Sequence, residues 1–287
     1  MNTTSSDPQA QPTWEEKLEA LRRSVRQLES ALVCFSGGLD SGLMLAIARE
    51  QLGDDATGLT ATGPALAPSE LQEATVFART LGVRHELRDA GELTREGYRA
   101  NGPDRCFHCK TALYDTARAI AAERGIRAVV NGTNVDDLGD YRPGLEAATL
   151  GGVRSPLVEA GFNKADVREA AKHLGLALWD KPAAACLASR LPYGTEVTPR
   201  RLEQIAAMEA QIRQLGVARV RVRHHETIAR LEVDAEDIAR LATSPLREAV
   251  VEAGKAQGFT YVVLDLGGYR MGSHNEVLDG RHLRTLR

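Results

Sequence analysis

The sequence predicts an α/β protein: a parallel sheet with helices on both faces, followed by a smaller α+β region. Three observations predict it. Short apolar runs alternate with segments of helical period through the first part of the chain, the pattern of strands joined by crossover helices. A glycine turn, Ser36-Gly37-Gly38-Leu39-Asp40-Ser41, sits between the first apolar run and the helix that follows it. After residue 195 the alternation stops, and two strand-like segments stand close enough for an antiparallel pair.

Thr13 and Glu16 have capping-box spacing, and Leu18, Leu21, Val25 and Leu28 then recur at helical intervals. Residues 31–35 predict the first strand, and the helix after the glycine turn is expected over 42–52. A second strand is expected at 57–62, a helix at 68–81 stopped by Gly82, and a third strand at 83–87. A helix over 109–124, with Leu113, Ala117, Ile120 and Ala121 on one face, ends at Gly125 and leads to a fourth strand at 127–130. Asn163 is expected to cap a helix over 164–174, with a short strand at 176–178. Residues 180–195, rich in Pro, Ala and Gly, read as a long loop. Beyond it come a helix at 199–215, strands at 218–223 and 228–233, two short helices and a last strand at 260–266. The expected organisation is a tail at 1–12, a first domain over 13–195 and a second over 196–287.

Strand, glycine turn and helix start make an anion site. Glycines let successive N–H groups point at one spot, and the helix adds its unpaired N–H groups and positive dipole end. No Gly-Lys-Ser/Thr closes the turn, so it is not a Walker A loop. Such a cradle suits a pyrophosphate that leaves. An ordinary strand-to-helix turn is the plainer alternative.

The chain has 287 residues, 43% of them hydrophobic, and a formal net charge of -3. That balance argues against a nucleic-acid surface. No apolar run is long enough for a membrane span, and the polar start lacks an apolar signal core. A cytoplasmic location is expected. The four cysteines then point to metal or redox chemistry before disulfides. Cys106 and Cys109 have C-x-x-C spacing at the mouth of an expected helix, where the positive end lowers thiol pKa; Cys186 stands in the long loop. Three thiolates can hold a 4Fe–4S cluster with one iron open. A structural zinc with His108 or another fourth ligand, or plain reduced thiols, fit the spacing equally. Cys34, inside an apolar strand, reads as a core residue.

The six-residue turn resembles the SGGxDS loop of the PP-loop ATP pyrophosphatases, which share a HUP-like α/β fold. Further blocks, from Arg105 to Lys110, Gly132 to Gly144, Lys181 to Gly194, Arg221 to His225, Ala229 to Val233 and Gly268 to Ser273, resemble the LarE family in the same order. That resemblance implies an ATP-dependent sulfur transferase. Its substrate is pyridinium-3,5-biscarboxylic acid mononucleotide, whose carboxylates become thiocarboxylates in making the nickel-pincer cofactor of lactate racemase. The founding type sacrifices the sulfur at the position of Cys186; the presence of Cys106 and Cys109 resembles the three-cysteine branch, in which the thiolates carry a 4Fe–4S cluster.

The resemblance also implies roles. Ser36, Gly37, Gly38, Asp40, Ser41, Thr133 and Asp137 would bind ATP, with Mg²⁺ on one or two of Asp136, Asp137 and Asp140; Asp40 would organise the loop or hold Mg²⁺ through water, or else cap the helix N-terminus. Lys181 would neutralise phosphate charge. Cys106, Cys109 and Cys186 would be the metal ligands and supply the sulfur, from the cluster or from Cys186 itself. Arg221, Arg223 and Arg270 would take the substrate phosphate, with Glu209 and Glu232 near the sulfur site. Strand alternation independently puts Arg219, Arg221 and Arg223 on one face, and at most one of His224 and His225 on it. Arginine forks suit phosphate and carboxylate. A homo-oligomer is implied, with no nucleic-acid partner. The competing readings are a 4Fe–4S tRNA thiolase, an amide-forming ligase of the same superfamily and a non-catalytic nucleotide-binding zinc protein.

Overall fold

The computed structural model describes residues 12–139, 143–182 and 184–270. The expected N-terminal tail, Asp140 and the block 271–273 lie outside them. In chain order the elements are α1 (Trp14–Arg26), β1 (Ala31–Cys34), α2 (Leu39–Leu52), β2 (Ala56–Ala61), α3 (Pro68–Thr80), β3 (Arg84–Arg88), α4 (Glu96–Arg99), α5 (Arg105–Arg124), β4 (Ala128–Val130), α6 (Pro143–Leu150), α7 (Pro156–Glu159), α8 (Lys164–His173), α9 (Pro199–Gln214), β5 (Val220–His225), β6 (Ile228–Val233), α10 (Ala235–Leu241), α11 (Leu246–Ala256) and β7 (Tyr261–Leu264).

The chain divides into two compact units, both discontinuous in sequence. The first is drawn from Met1–Ala61, Gln72–Arg88 and Leu113–Ala183; the second from Thr62–Leu71, Asp89–Ala112 and Ala184–Arg287. In the first unit, four parallel strands run in the order β3-β2-β1-β4, flanked by helices. All four residues of β1 are buried, as a central parallel strand requires. Leu18, Leu21 and Val25 of α1, nearly the whole apolar side of α2, and Val167, Ala170 and Ala171 of α8 complete one core. The expected capping box of Thr13 with Glu16 forms, and Asn163 caps α8 as expected, in a capping box with Asp166.

In the second unit β5 and β6 pair antiparallel, and β7 joins β6 in parallel. Val220 and Val222 face the core with Leu202, Ile205, Met208 and Ile212 of α9. The register sets Arg221 against Glu232 and Arg223 against Arg230.

Several local expectations are corrected. The helix after the glycine turn begins at Leu39, because Gly38 serves as its N-cap and the Gly42 amide already donates to the Gly38 carbonyl. The helix bearing the cysteines begins at Arg105, so Cys106 and Cys109 lie three residues apart on one helical face. Residues 176–178 form turns and no strand. Leu176 and Leu178 are buried in the first core through turn hydrogen bonds, which satisfies them without a sheet neighbour. The helices α4, α6 and α7, the first and last of only four residues, were not anticipated.

Candidate functional site

In the first unit the turn after β1 has the form its glycines predict. Gly37 takes φ 78°, the left-handed region that favours glycine. Gly38 caps α2 with no side-chain hydrogen bond, so no side chain among the described residues caps the leading N–H groups of the helix. The Ser36 and Ser41 hydroxyls lie 3.0 Å apart; Ser41 Oγ also accepts from the Ser36 amide and donates to the Gly38 carbonyl, which stiffens the turn. Lys181 reaches this loop, donating to the Gly37 carbonyl at 3.1 Å while pairing with Glu73 at 2.7 Å. The loop stands where strand order reverses between β1 and β4, at their carboxyl ends, the place where open α/β sheets bind ligands.

Asp40 does not cap its own helix. Its carboxylate accepts from Asn134 Nδ2 at 3.2 Å and pairs with Lys164. Lys164, the first residue of α8, carries no motif signal and was missed in the sequence. Asn134 is buried and organises the turn after β4: its amide donates to Asp137, and its side-chain oxygen accepts from the Asp136 amide. Asp136 also accepts from the Lys164 amide. The two aspartates thus already hold backbone N–H groups. Thr133 is half-buried, its amide donating to Asn131 Oδ1 at 3.1 Å. Among the described residues no three His, Cys, Asp or Glu side chains form a group that could hold a metal ion.

All three candidate thiols belong to the second unit. Cys106 and Cys186 are exposed and Cys109 is half-buried. Two buried or nearly buried guanidinium groups hold the Cys186 loop. Arg105 donates to Asn101 Oδ1 and to the Ala188 carbonyl at 2.9 Å. Arg190 donates to the carbonyls of Ala185 and Cys186. Neither arginine was read as functional, although each lies inside a motif block; a charge in an otherwise apolar stretch is the signal that could have found them. His108 pairs with Asp104 at 3.1 Å, its ring filling the space over Gly97.

The helix start does not activate Cys109 as expected. Burial pushes its thiol up to about 12, with Cys186, Glu92 and Cys106 adding to the rise and Lys110 opposing it. The thiolate is the reactive form, so alkylation of Cys109 should grow with pH until about 12. Its thiolate fraction at pH 8 is smaller than that of an ordinary thiol by about 10³, partly offset by greater nucleophilicity. In reduced, iron-free protein, iodoacetamide should label Cys109 about 100-fold more slowly than an exposed thiol, as peptide mass spectrometry can count.

The charged residues of β5 and β6 form a dense lattice. Glu209 on α9 is 1% exposed and accepts from Arg190 Nε at 2.8 Å, from Arg213 at 2.8 Å and from the Val222 amide at 3.1 Å. Glu232 pairs with Arg223 at 2.7 Å and Arg230 at 3.1 Å. Arg223 donates to the Ser189 carbonyl, tying β5 to the Cys186 loop. Glu209, Glu232 and Arg223 are therefore committed within the protein. Arg221 differs. It lies over the Tyr269 ring, 5.6 Å from its centre, and no carboxylate among the described residues is within ion-pair distance. Burial and the neighbouring Arg190 push its pKa down. Glu209 and Tyr269 oppose that fall. Arg270 donates to the Gly267 carbonyl.

Residues 16–121 match the asparagine synthase family. The chain is 42% identical to the uncharacterized protein slr1717 of Synechocystis, over 92% of this chain and 98% of that one. It is 37% identical to the pyridinium-3,5-bisthiocarboxylic acid mononucleotide synthase of Lactiplantibacillus plantarum, over 94% and 97% respectively. Similarity to the tRNA-specific 2-thiouridylase MnmA of Xanthobacter autotrophicus, at 30% identity, spans only 53% of this chain and 48% of that protein. A likeness that runs the length of both chains, on a parallel sheet with an uncapped glycine turn after its central strand, means that the chain belongs to the LarE family of ATP-dependent sulfur transferases.

Proposed function

We propose that this enzyme adenylates the carboxylates of pyridinium-3,5-biscarboxylic acid mononucleotide and replaces their oxygen by sulfur, in the cytoplasm, as a homo-oligomer. The observation that carries this reading is the uncapped turn from Ser36 to Ser41, whose α2 N–H groups are left for phosphate. Ser36, Gly37, Gly38, Ser41 and Thr133 line the nucleotide, and Lys181 offsets its charge from the Gly37 carbonyl. Asp40 and Asp137 remain the candidates to face Mg²⁺ through water, a hard ion that keeps part of its shell. A substrate carboxylate oxygen attacks the α-phosphorus and pyrophosphate leaves. Sulfur then attacks the acyl carbon and AMP leaves. Arg221, with Arg270, receives the substrate's anionic groups, while Glu209 and Glu232 hold Arg190 and Arg223 in place.

A 4Fe–4S cluster on Cys106, Cys109 and Cys186 is the reading of the donor chemistry alone: the three thiols share one unit, Cys109 feels the charge of the other two, and His108, needed for the simplest zinc site, is turned to Asp104, while the thiols as placed form no group that could hold a metal ion. When bound, the cluster would supply the sulfur. Anaerobic purification followed by iron, acid-labile sulfide and zinc analysis tests this. Iron with sulfide is expected; stoichiometric zinc overturns it. Cys106→Ser should lose the brown colour and keep ATP binding, and a full cluster in that variant would remove Cys106 from the ligand set. Incubation with ATP, sulfide and either the mononucleotide or bulk tRNA separates the acceptors. Thiocarboxylate is expected, and thionucleosides instead would favour the tRNA reading.

A further inference from the structure

A buried tyrosine beside the thiols has no assigned part in this chemistry. Tyr98 on α4 is 1% exposed, among the largest fully buried side chains of the protein. Its ring belongs to the second core, with Leu187 and Ala188 of the Cys186 loop and with Cys109 packed against the same cluster. Its hydroxyl is shut off from water and has no hydrogen-bond partner among the described residues. Leaving a buried hydroxyl unpaired lowers the stability of the fold. Phenylalanine would fill the same space without that penalty. Such a group calls for an acceptor supplied in the working state.

The surroundings say what the acceptor is. The charged groups that act on the Tyr98 hydroxyl are Cys186, Cys109 and Glu92, with Arg105 opposing them. An ordinary phenol is already a neutral O–H donor throughout the working range. Glu92 is itself buried, its carboxylate occupying the space over Gly63, and burial raises its pKa. Sulfur is therefore the acceptor chemistry gathered around this donor.

We propose that Tyr98 is a catalytic residue whose hydroxyl donates a hydrogen bond to the anionic sulfur that is transferred, held beside Cys109 and Cys186. The inference rests on the sulfur-transfer reading of this unit. The donor fixes the position of the sulfur lone pair before the activated carboxyl arrives, and it stays bonded to the phenol oxygen; no proton moves. A thiolate on Cys186 and a sulfide carried on a cluster present the same acceptor, and the test tells them apart.

The test is Tyr98→Phe in the full chain, alongside a variant with 3-fluorotyrosine at position 98, which keeps the ring and the donor. Tyr98→Phe is expected to fold with an unchanged or higher Tm and to bind ATP and iron as the parent does. Its kcat for thiocarboxylate formation should fall about 100-fold with KM for the mononucleotide unchanged, the effect of deleting one preorganised donor. The fluorotyrosine variant should retain activity, and it carries the comparison if the phenylalanine variant is unstable. Two readouts need no turnover. In iron-free reduced protein, a changed iodoacetamide rate at Cys186 marks the Cys186 thiolate as acceptor. In reconstituted protein, loss of sulfide beyond the cluster's own marks the carried sulfide. If Tyr98→Phe matches the parent in turnover, Cys186 alkylation and sulfide retention, the hydroxyl has no such role and is satisfied by a structural water. If the parent makes no thiocarboxylate, the functional reading fails, and the two turnover-free readouts still decide whether Tyr98 touches sulfur.

Discussion

Replacing Gly132 by alanine should lower ATP-dependent pyrophosphate release by at least about 100-fold. Gly132 follows β4 and passes close to the start of α2. A Cβ at this position would lie 2.5 Å from the Ser41 amide nitrogen, 2.7 Å from Ser41 Cα and 2.8 Å from the Asp40 carbonyl carbon. All three are backbone atoms, so no rotamer change relieves the contact. Either the β4 end or the phosphate turn must move. Moving the turn takes the α2 amides off the positions proposed for the phosphate oxygens, and a displacement near 1 Å can lose about two orders of magnitude in rate. Overpacking of this kind also destabilises by about 1–3 kcal/mol, so the variant should remain folded by circular dichroism. Gly139→Ala is the control: no described residue lies within 4 Å of its Cβ position. Calorimetric ATP binding and pyrophosphate release check both variants. Parent-like release from Gly132→Ala would mean that the nucleotide sits elsewhere.

Glu209→Ala should destabilise the second unit by about 3–5 kcal/mol, the loss seen when one partner of a buried ion pair is removed. The Arg190 and Glu209 side chains are 2% and 1% exposed, and the variant leaves the guanidinium buried beside Arg221 without its counter-charge. The urea midpoint is the measurement. The double variant Arg190→Met with Glu209→Leu should recover much of the stability, since apolar replacements of a whole buried pair are often tolerated. It should not recover activity, because Arg190 also holds the Ala185 and Cys186 carbonyls. A pH dependence follows. Burial alone would raise the Glu209 pKa, but Arg190, the Val222 amide and Arg213 outweigh it and hold the carboxyl below its usual range. Its stabilisation is therefore fully present above the unfolded carboxylate pKa and lost as pH falls through the lower folded value. Parent stability in Glu209→Ala would reduce the lattice to a surface-like arrangement.

The elements with a strong local signature were legible. The buried run of β1, the glycine turn, the capping box at Thr13, the cap at Asn163 and the antiparallel pair β5–β6 all announce themselves within a few residues. The misses share one cause. The segment 176–178 has the apolar content of a strand, but a ladder also needs a neighbour, which no local pattern reveals. The start of α5 was placed four residues late because the Arg105 side chain is satisfied by Asn101 and Ala188, the latter far away in sequence. Lys164 was invisible because its partner, Asp40, is 124 residues distant.

The amino-acid order alone determined the α/β class, the phosphate turn and the supply of three thiols and many arginines, because each depends on spacing within a short stretch. Only the tertiary structure decided that residues 89–112 join the C-terminal unit and bring Cys106 and Cys109 into the same unit as Cys186. It also decided that Glu209 pairs with Arg190 and Glu232 with Arg223, while Arg221 lies over the Tyr269 ring without an ion-pair partner among the described residues. Burial and pairing are properties of the whole packed chain. They set the Cys109 thiol high and leave the Tyr98 hydroxyl without a partner, and no spacing rule contains either fact.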